Sequence, residues 1–166
     1  MAIGFPALPD LVLGPLAGRP DAAWYQAPPG KWNAAQIVEH LAIGLDASSR
    51  TLEERRARDP MRRRPRTVLE RLAWISIMRL RWFPPFVAAP EGTRPPAHVE
   101  HAAAAAKFRS GWERFTALER LLLPARRFDL FAKHPRLGDL TLEEWMRFHV
   151  IHARHHARQI RDRVGK

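Results

Sequence analysis

The sequence predicts an all-α protein, a four-helix bundle with one long crossover connection. Three observations carry this expectation. Four segments repeat apolar residues at helical spacing, and three of them open with a recognisable start signal. Alternating runs of β-branched residues are missing, and the valines are few and scattered. The 166 residues, 46% of them apolar, suit one helical domain spanning 1–166, because four helices with one apolar face each bury those faces best against one another.

The first thirty residues are interrupted by prolines and by Asp10, and read as short helical turns and extended pieces wrapping the bundle, with 21–25 as one such turn. They lack a basic leader region, so they resemble neither a signal peptide nor a membrane span. With no cysteine in the chain, disulfides, thiolate zinc sites and a cysteine nucleophile are excluded. The expected location is therefore the cytoplasm, without a membrane partner.

The first long helix is expected from Asn33 to Arg58. Asn33 is a good N-cap, Gln36 three residues on completes a capping box, and Trp32 with Ile37 makes a hydrophobic staple. The second is expected from Thr67 to Trp82, with Thr67 and Glu70 as a second capping box and Pro84-Pro85 as the stop. The third runs from Ala97 to Leu123, ahead of Pro124, with an alanine-rich start and an apolar stripe of Phe108, Trp112 and Phe115. The fourth runs from Leu142 to Arg163, capped by Thr141 and Glu144, stapled by Leu140 and Trp145, and closed by Gly165. The 83–97 connection is long for a bundle and reads as a crossover or a lid.

Chemistry is suggested by the eight histidines. At about 100° per residue, His152 and His156 share one face of the fourth helix, the H-x-x-x-H spacing with which one helix presents two imidazoles to one ion. Trp145 and His149 fall on the same face, and His155 points about 100° away from His156. A polar helix face explains the pair equally well. A site of zinc type needs a third protein ligand, and His40, mid-way along the first helix with Gly44 one turn on, is the best placed. Taken alone, His40 reads rather as a hydrogen-bonded core histidine. His98 and His101 read as solvated, and His134 as the hydrogen-bonding side chain of a turn.

Two blocks resemble the DinB/YfiT-like superfamily of metalloenzymes. One is the run from Lys31 through Trp32 to His40 and Leu41, which looks like that family's first core helix. The other is the run from His134 through His152 and His156 to Gln159-Ile160, which looks like its closing motif. The resemblance implies a bundle of unusual connectivity, often homodimeric. It also implies a zinc or nickel site made by His40, His152 and His156, with small-molecule chemistry that includes thiol-dependent transfer and metal-dependent hydrolysis. His149 is then a candidate supporting or acid–base group. Glu39 adjoins His40 but lies about 100° around the helix, which favours an exposed or supporting place.

The net charge of +11 suits anionic partners. The run from Arg55 to Arg66 holds seven arginines and one acid, so a nucleic-acid or anion-binding module is an alternative. A solvated linker is the preferred reading of that run, and the absence of an aromatic residue within it argues against single-strand binding. A bundle whose metal is purely structural is the third alternative.

Overall fold

The computed structural model describes residues 4–56, 63–84, 88–126 and 130–165. The protein is mostly helical, and the described residues form six α-helices and one β-hairpin rather than a plain four-helix bundle. After a 3-10 turn over Phe5–Ala7 come α1 (Leu8–Leu13), a second 3-10 turn and α2 (Asp21–Trp24). The long α3 spans Ala34–Arg56 and the short α4 spans Val68–Trp74, which continues as a π-helical turn over Ile75–Arg79. Then follow α5 (His101–Arg126), the strands β1 (Phe131–His134) and β2 (Gly138–Thr141), and α6 (Leu142–Val164).

All three expected capping boxes form. The Gln36 N–H donates to Asn33 Oδ1 at 2.9 Å while Gln36 Oε1 accepts from the Asn33 N–H at 3.1 Å. Thr67 with Glu70 and Thr141 with Glu144 make the same reciprocal pair at the starts of α4 and α6. Each pair gives partners to backbone donors that a helix start leaves open.

The core lies between α3, α5 and α6, closed on one side by the N-terminal turns, which pack on α6 and α5. On α5, Ala104, Phe108, Phe115, Leu118 and Leu122 are buried, a repeat of three and four residues that faces α3. Gly111 sits on this stripe, and a side-chain carbon there would come within 3.2 Å of Leu45 Cβ, so glycine lets α3 and α5 approach closely. Trp112 is only partly buried, and its indole N–H donates to the Phe5 carbonyl at 3.1 Å.

The second expected helix is where the four-helix picture fails. α4 buries none of its residues, and Val68, Leu69 and Leu72 are 76%, 79% and 59% exposed. The end of α4 touches the core through the partly buried Ala73 and Trp74, and the π-turn after it enters the core through Ile77 and Met78. Periodicity revealed an apolar face but not what that face meets. The N-terminal Leu8, Val12, Leu13 and Leu16 supply buried area in its place. The third helix starts later than expected, at His101, and runs past Pro124 to Arg126.

The hairpin is the second departure. Its strands pair antiparallel, with Phe131 opposite Thr141 and His134 opposite Gly138. The three-residue turn Pro135–Leu137 ends on Gly138 at φ +74°, a conformation other residues rarely adopt. His134 holds this turn as expected, its Nδ1 accepting from the N–H groups of Arg136 at 3.1 Å and Leu137 at 3.2 Å.

The hairpin and the start of α6 also capture part of the arginine run. Arg63 donates to Glu144 at 2.6 Å and Arg66 to the other oxygen of the same carboxylate at 3.1 Å, while Arg64 pairs with Asp139 at 2.9 Å. Arg66 Nε also donates to the Leu137 carbonyl at 2.9 Å. These three arginines are thus internal ties rather than a solvated linker, and positions 57–62 of the run lie outside the described residues. Burial opposes the Glu144 charge, but the Thr141 N–H and the Arg63 and Arg66 guanidiniums outweigh it and hold the carboxyl below its usual range.

Glu144→Ala removes half of a capping box and leaves two guanidiniums without their carboxylate, holding backbone carbonyls alone, with an expected loss of about 2 kcal/mol in stability. Urea denaturation checks this. Glu144→Gln, which keeps an oxygen for the Thr141 N–H, should lose less.

Candidate metal centre

The centre is built where the first third of α3 faces the middle of α6. Both helices are amphipathic for ordinary reasons, and each places histidine on its core side. His40 and His156 are buried at 4% and 7% exposure, and His152 lies between them, partly exposed. One nitrogen from each ring comes within 4.8 Å of the others. His152 Nε2 stands 3.2 Å from His40 Nε2 and 3.0 Å from His156 Nε2. Nitrogens bound tetrahedrally to one zinc ion at about 2.1 Å stand roughly 3.4 Å apart.

The outer nitrogens determine what the inner ones can do. His40 Nδ1–H donates to the Thr93 carbonyl at 2.6 Å. His156 Nδ1–H donates to Gln159 Oε1 at 2.8 Å. A neutral imidazole carries one proton, so both rings turn a bare Nε2 lone pair inward. His152 can offer at most one N–H to these two acceptors. At least one lone pair is therefore left facing another nitrogen, a mismatch that a cation removes. The donor set thus fits a divalent metal.

Burial keeps these rings neutral, which is the ligand form. It lowers His40 against the opposing pull of the Thr93 carbonyl, and it lowers His152 well below the ordinary value, helped by the neighbouring histidines. His156 is pushed down to about 3, first by burial and then by His40. Aromatic rings surround the cluster. Trp32 lies 5.0 Å from His40 between centroids, and Phe148 and Phe83 stack on His152 at 5.2 and 5.5 Å. A side-chain carbon placed on Gly44 would meet no described atom within 4 Å, so there is open space one turn beyond His40.

The remaining candidates fall outside the cluster. His149 is 4% exposed, 2.8 Å from Ser48 Oγ, and enclosed by Trp145, Phe115, Phe148 and Phe5. Burial, then His134, pushes its pKa to about 3. His155 is half-buried beneath Phe83 and accepts from Gln159 Nε2 at 3.1 Å. Glu39 pairs with Lys107 of α5. His98 is exposed, whereas His101 packs 5.0 Å from Trp24 and meets the Tyr25 hydroxyl at 3.1 Å, so the solvated reading of His101 is corrected.

Sequence reasoning gave no role to three contributors. Gln159 had a local signal, three residues beyond His156 and four beyond His155. Phe83 had none beyond its aromatic ring. The Thr93 carbonyl had none at all, because every residue carries one.

Fold and site together define a helical protein with a three-histidine cluster able to hold a divalent metal. The chain matches the model of a family described as protein of unknown function (DUF1569) over residues 21–163, and it belongs to that family. No curated protein and no solved structure matches it. The family match does not itself name the DinB/YfiT-like superfamily, and that resemblance rests on the two sequence blocks.

His134 generates a pH prediction. In the unfolded chain a histidine titrates near 6.5, but in the fold burial, followed by Arg136, holds His134 neutral down to about 4. The unfolded state takes up the proton first. Stability is therefore lost as pH falls from about 6.5 to about 4, by about 3 kcal/mol from this residue. Chemical denaturation across that window should show a shallower slope for His134→Asn than for the wild type.

Proposed function

We propose that the chain binds one divalent metal ion, zinc or nickel, through His40, His152 and His156, and acts on a small molecule as a metal-dependent transferase of low-molecular-weight thiols or as a metal-dependent hydrolase. The observation that supports this most is the inward convergence of three Nε2 atoms while the Nδ1–H groups of His40 and His156 are tied to a carbonyl and an amide. Held by three neutral imidazoles, such an ion keeps its full charge and supplies the Lewis acidity that lowers the pKa of a water or thiol it ligates.

The chain's own residues would do the rest. The Thr93 carbonyl and Gln159 orient the ligand rings, and Trp32, Phe83 and Phe148 crowd water from their flanks. The basic surface attracts an anionic thiol or substrate. His149 serves packing rather than acid–base work, because a buried ring with a pKa of about 3 is poorly matched to proton transfer near neutrality. Among the described residues no helix is long and apolar enough to cross a membrane, and a cytoplasmic setting suits a chain without cysteine.

Elemental analysis of protein purified without a histidine tag should return about one ion per chain. His152→Ala with His156→Ala should abolish it. Unchanged metal content in that double variant would falsify the ligand set, and metal retained with no turnover of thiol or ester substrates would favour a structural ion.

The homodimer implied by the resemblance has a face available in the exposed row Val68, Leu69, Leu72 and Leu80. Leu69→Glu with Leu72→Glu should then convert a dimer to a monomer in sedimentation velocity, and a wild type that sediments as a monomer at high concentration would dismiss the dimer.

A further inference from the structure

The side chain of Gln159 is fixed at both ends. Its Oε1 accepts from His156 Nδ1 at 2.8 Å, and its Nε2 donates to His155 Nε2 at 3.1 Å. Helix geometry makes this possible, because residue 159 is three positions beyond 156 and four beyond 155, the two spacings that meet on a helix surface. An amide is the one group of this length with an acceptor and a donor on the same carbon. Turned the other way, it would set its NH₂ against the N–H of His156 and its oxygen against the acceptor nitrogen of His155.

In this orientation the amide matches the His156 tautomer that leaves Nε2 bare toward His40 and His152, the form a metal ligand needs. The residue's backbone is anchored as well. Arg163 Nη1 donates to the Gln159 carbonyl at 2.7 Å, and Arg163 Nε donates to the Trp32 carbonyl. Trp32 in turn packs on His40. One turn of α6 thus braces ligands on both helices.

We propose that Gln159 is the positioning residue of the metal centre, and that its neutral amide gives His156 an acceptor without adding negative charge to the site. The role rests on the metal reading above. A carboxylate in its place would still accept from His156 Nδ1–H and would make the ring a stronger donor, but would place a full charge within one ring of the ion. The amide orients the ligand and leaves the charge of the ion uncompensated. His155, at the outer end and half-buried under Phe83, is the stop against which the amide is held.

The test is a Zn²⁺ affinity measurement by chelator competition on the full chain, with Co²⁺ visible absorption as a second readout. Wild type, Q159L and Q159E are compared, with thermal melts of the metal-free proteins as the folding control. Q159L removes both hydrogen bonds and should bind Zn²⁺ 10- to 100-fold more weakly, with an altered Co²⁺ spectrum and a metal-free melting temperature close to wild type. Q159E restores the acceptor and should return affinity to the wild-type level or above. Wild-type binding with Q159L equal to it in affinity and spectrum overturns the role of Gln159 and leaves the metal reading standing. Failure of Q159E to rescue a folded, weakened Q159L also overturns it. A wild type that binds neither Zn²⁺ nor Co²⁺ overturns the metal reading, and this role with it.

Discussion

The arrangement depends on one constraint: α6 must bury imidazoles on the same face that packs it into the protein. A buried ring nitrogen without a partner costs about 1–3 kcal/mol, and a buried imidazolium more. The rings on this face are partnered in different ways. His149 has Ser48, His156 has Gln159, and among the described residues His152 has the other two rings of the cluster for its Nε2. Ser48 matches His149 Nε2 and Gln159 matches the outer nitrogen of His156. The inner nitrogens of His156, His152 and His40 stay open, because lone pairs converge there, so among the described residues of α6 this mismatch lies at the cluster.

Holding that face in register needs the start of α6 to be fixed. Thr141 and Glu144 cap it, β2 leads directly into it, and Trp145 donates its indole N–H to the Ala132 carbonyl of β1 at 3.1 Å. Arg63 and Arg66 then close on Glu144 from the chain ahead of α4. The hairpin is thus the bracket that sets where α6 begins, and the arginines tie a distant stretch of chain to it. The rotation of α6 about its axis, and with it the aim of His152 and His156, follows from that bracket.

The parts that were legible in the sequence are those governed by local spacing. The boxes at Asn33, Thr67 and Thr141 are pairs three residues apart, and the pairing of His152 with His156 is four residues apart, so helix geometry alone brings them together. The convergence of His40 was a matter of resemblance, since no local rule relates residues 112 positions apart. The hairpin escaped because its strands are four residues each, too short for alternation to register. α4 misled because Val68, Leu69 and Leu72 have the spacing of a core face, while the area they offered was supplied by Leu8, Val12 and Leu16. The arginine run looked like a linker because its acceptors, Asp139 and Glu144, lie more than seventy residues downstream.

Among the described residues, acidic side chains near the cluster are tied up away from its rings. The acids nearest the α3 ligand face are paired with basic residues of α3 and α5: Glu39 beside His40 goes to Lys107, and Asp46 to Arg50 and Arg114. At the start of α6, Asp139 and Glu144 go to Arg63, Arg64 and Arg66. The ring partners that remain, the Thr93 carbonyl and the Gln159 amide, are neutral. A carboxylate in either place would bind a cation more tightly but would cancel part of its charge, and the polarising power of an ion toward a water or a thiol depends on the charge left over. The neutrality of these partners would leave an ion held at the cluster its full charge, which is the property the proposed function draws on.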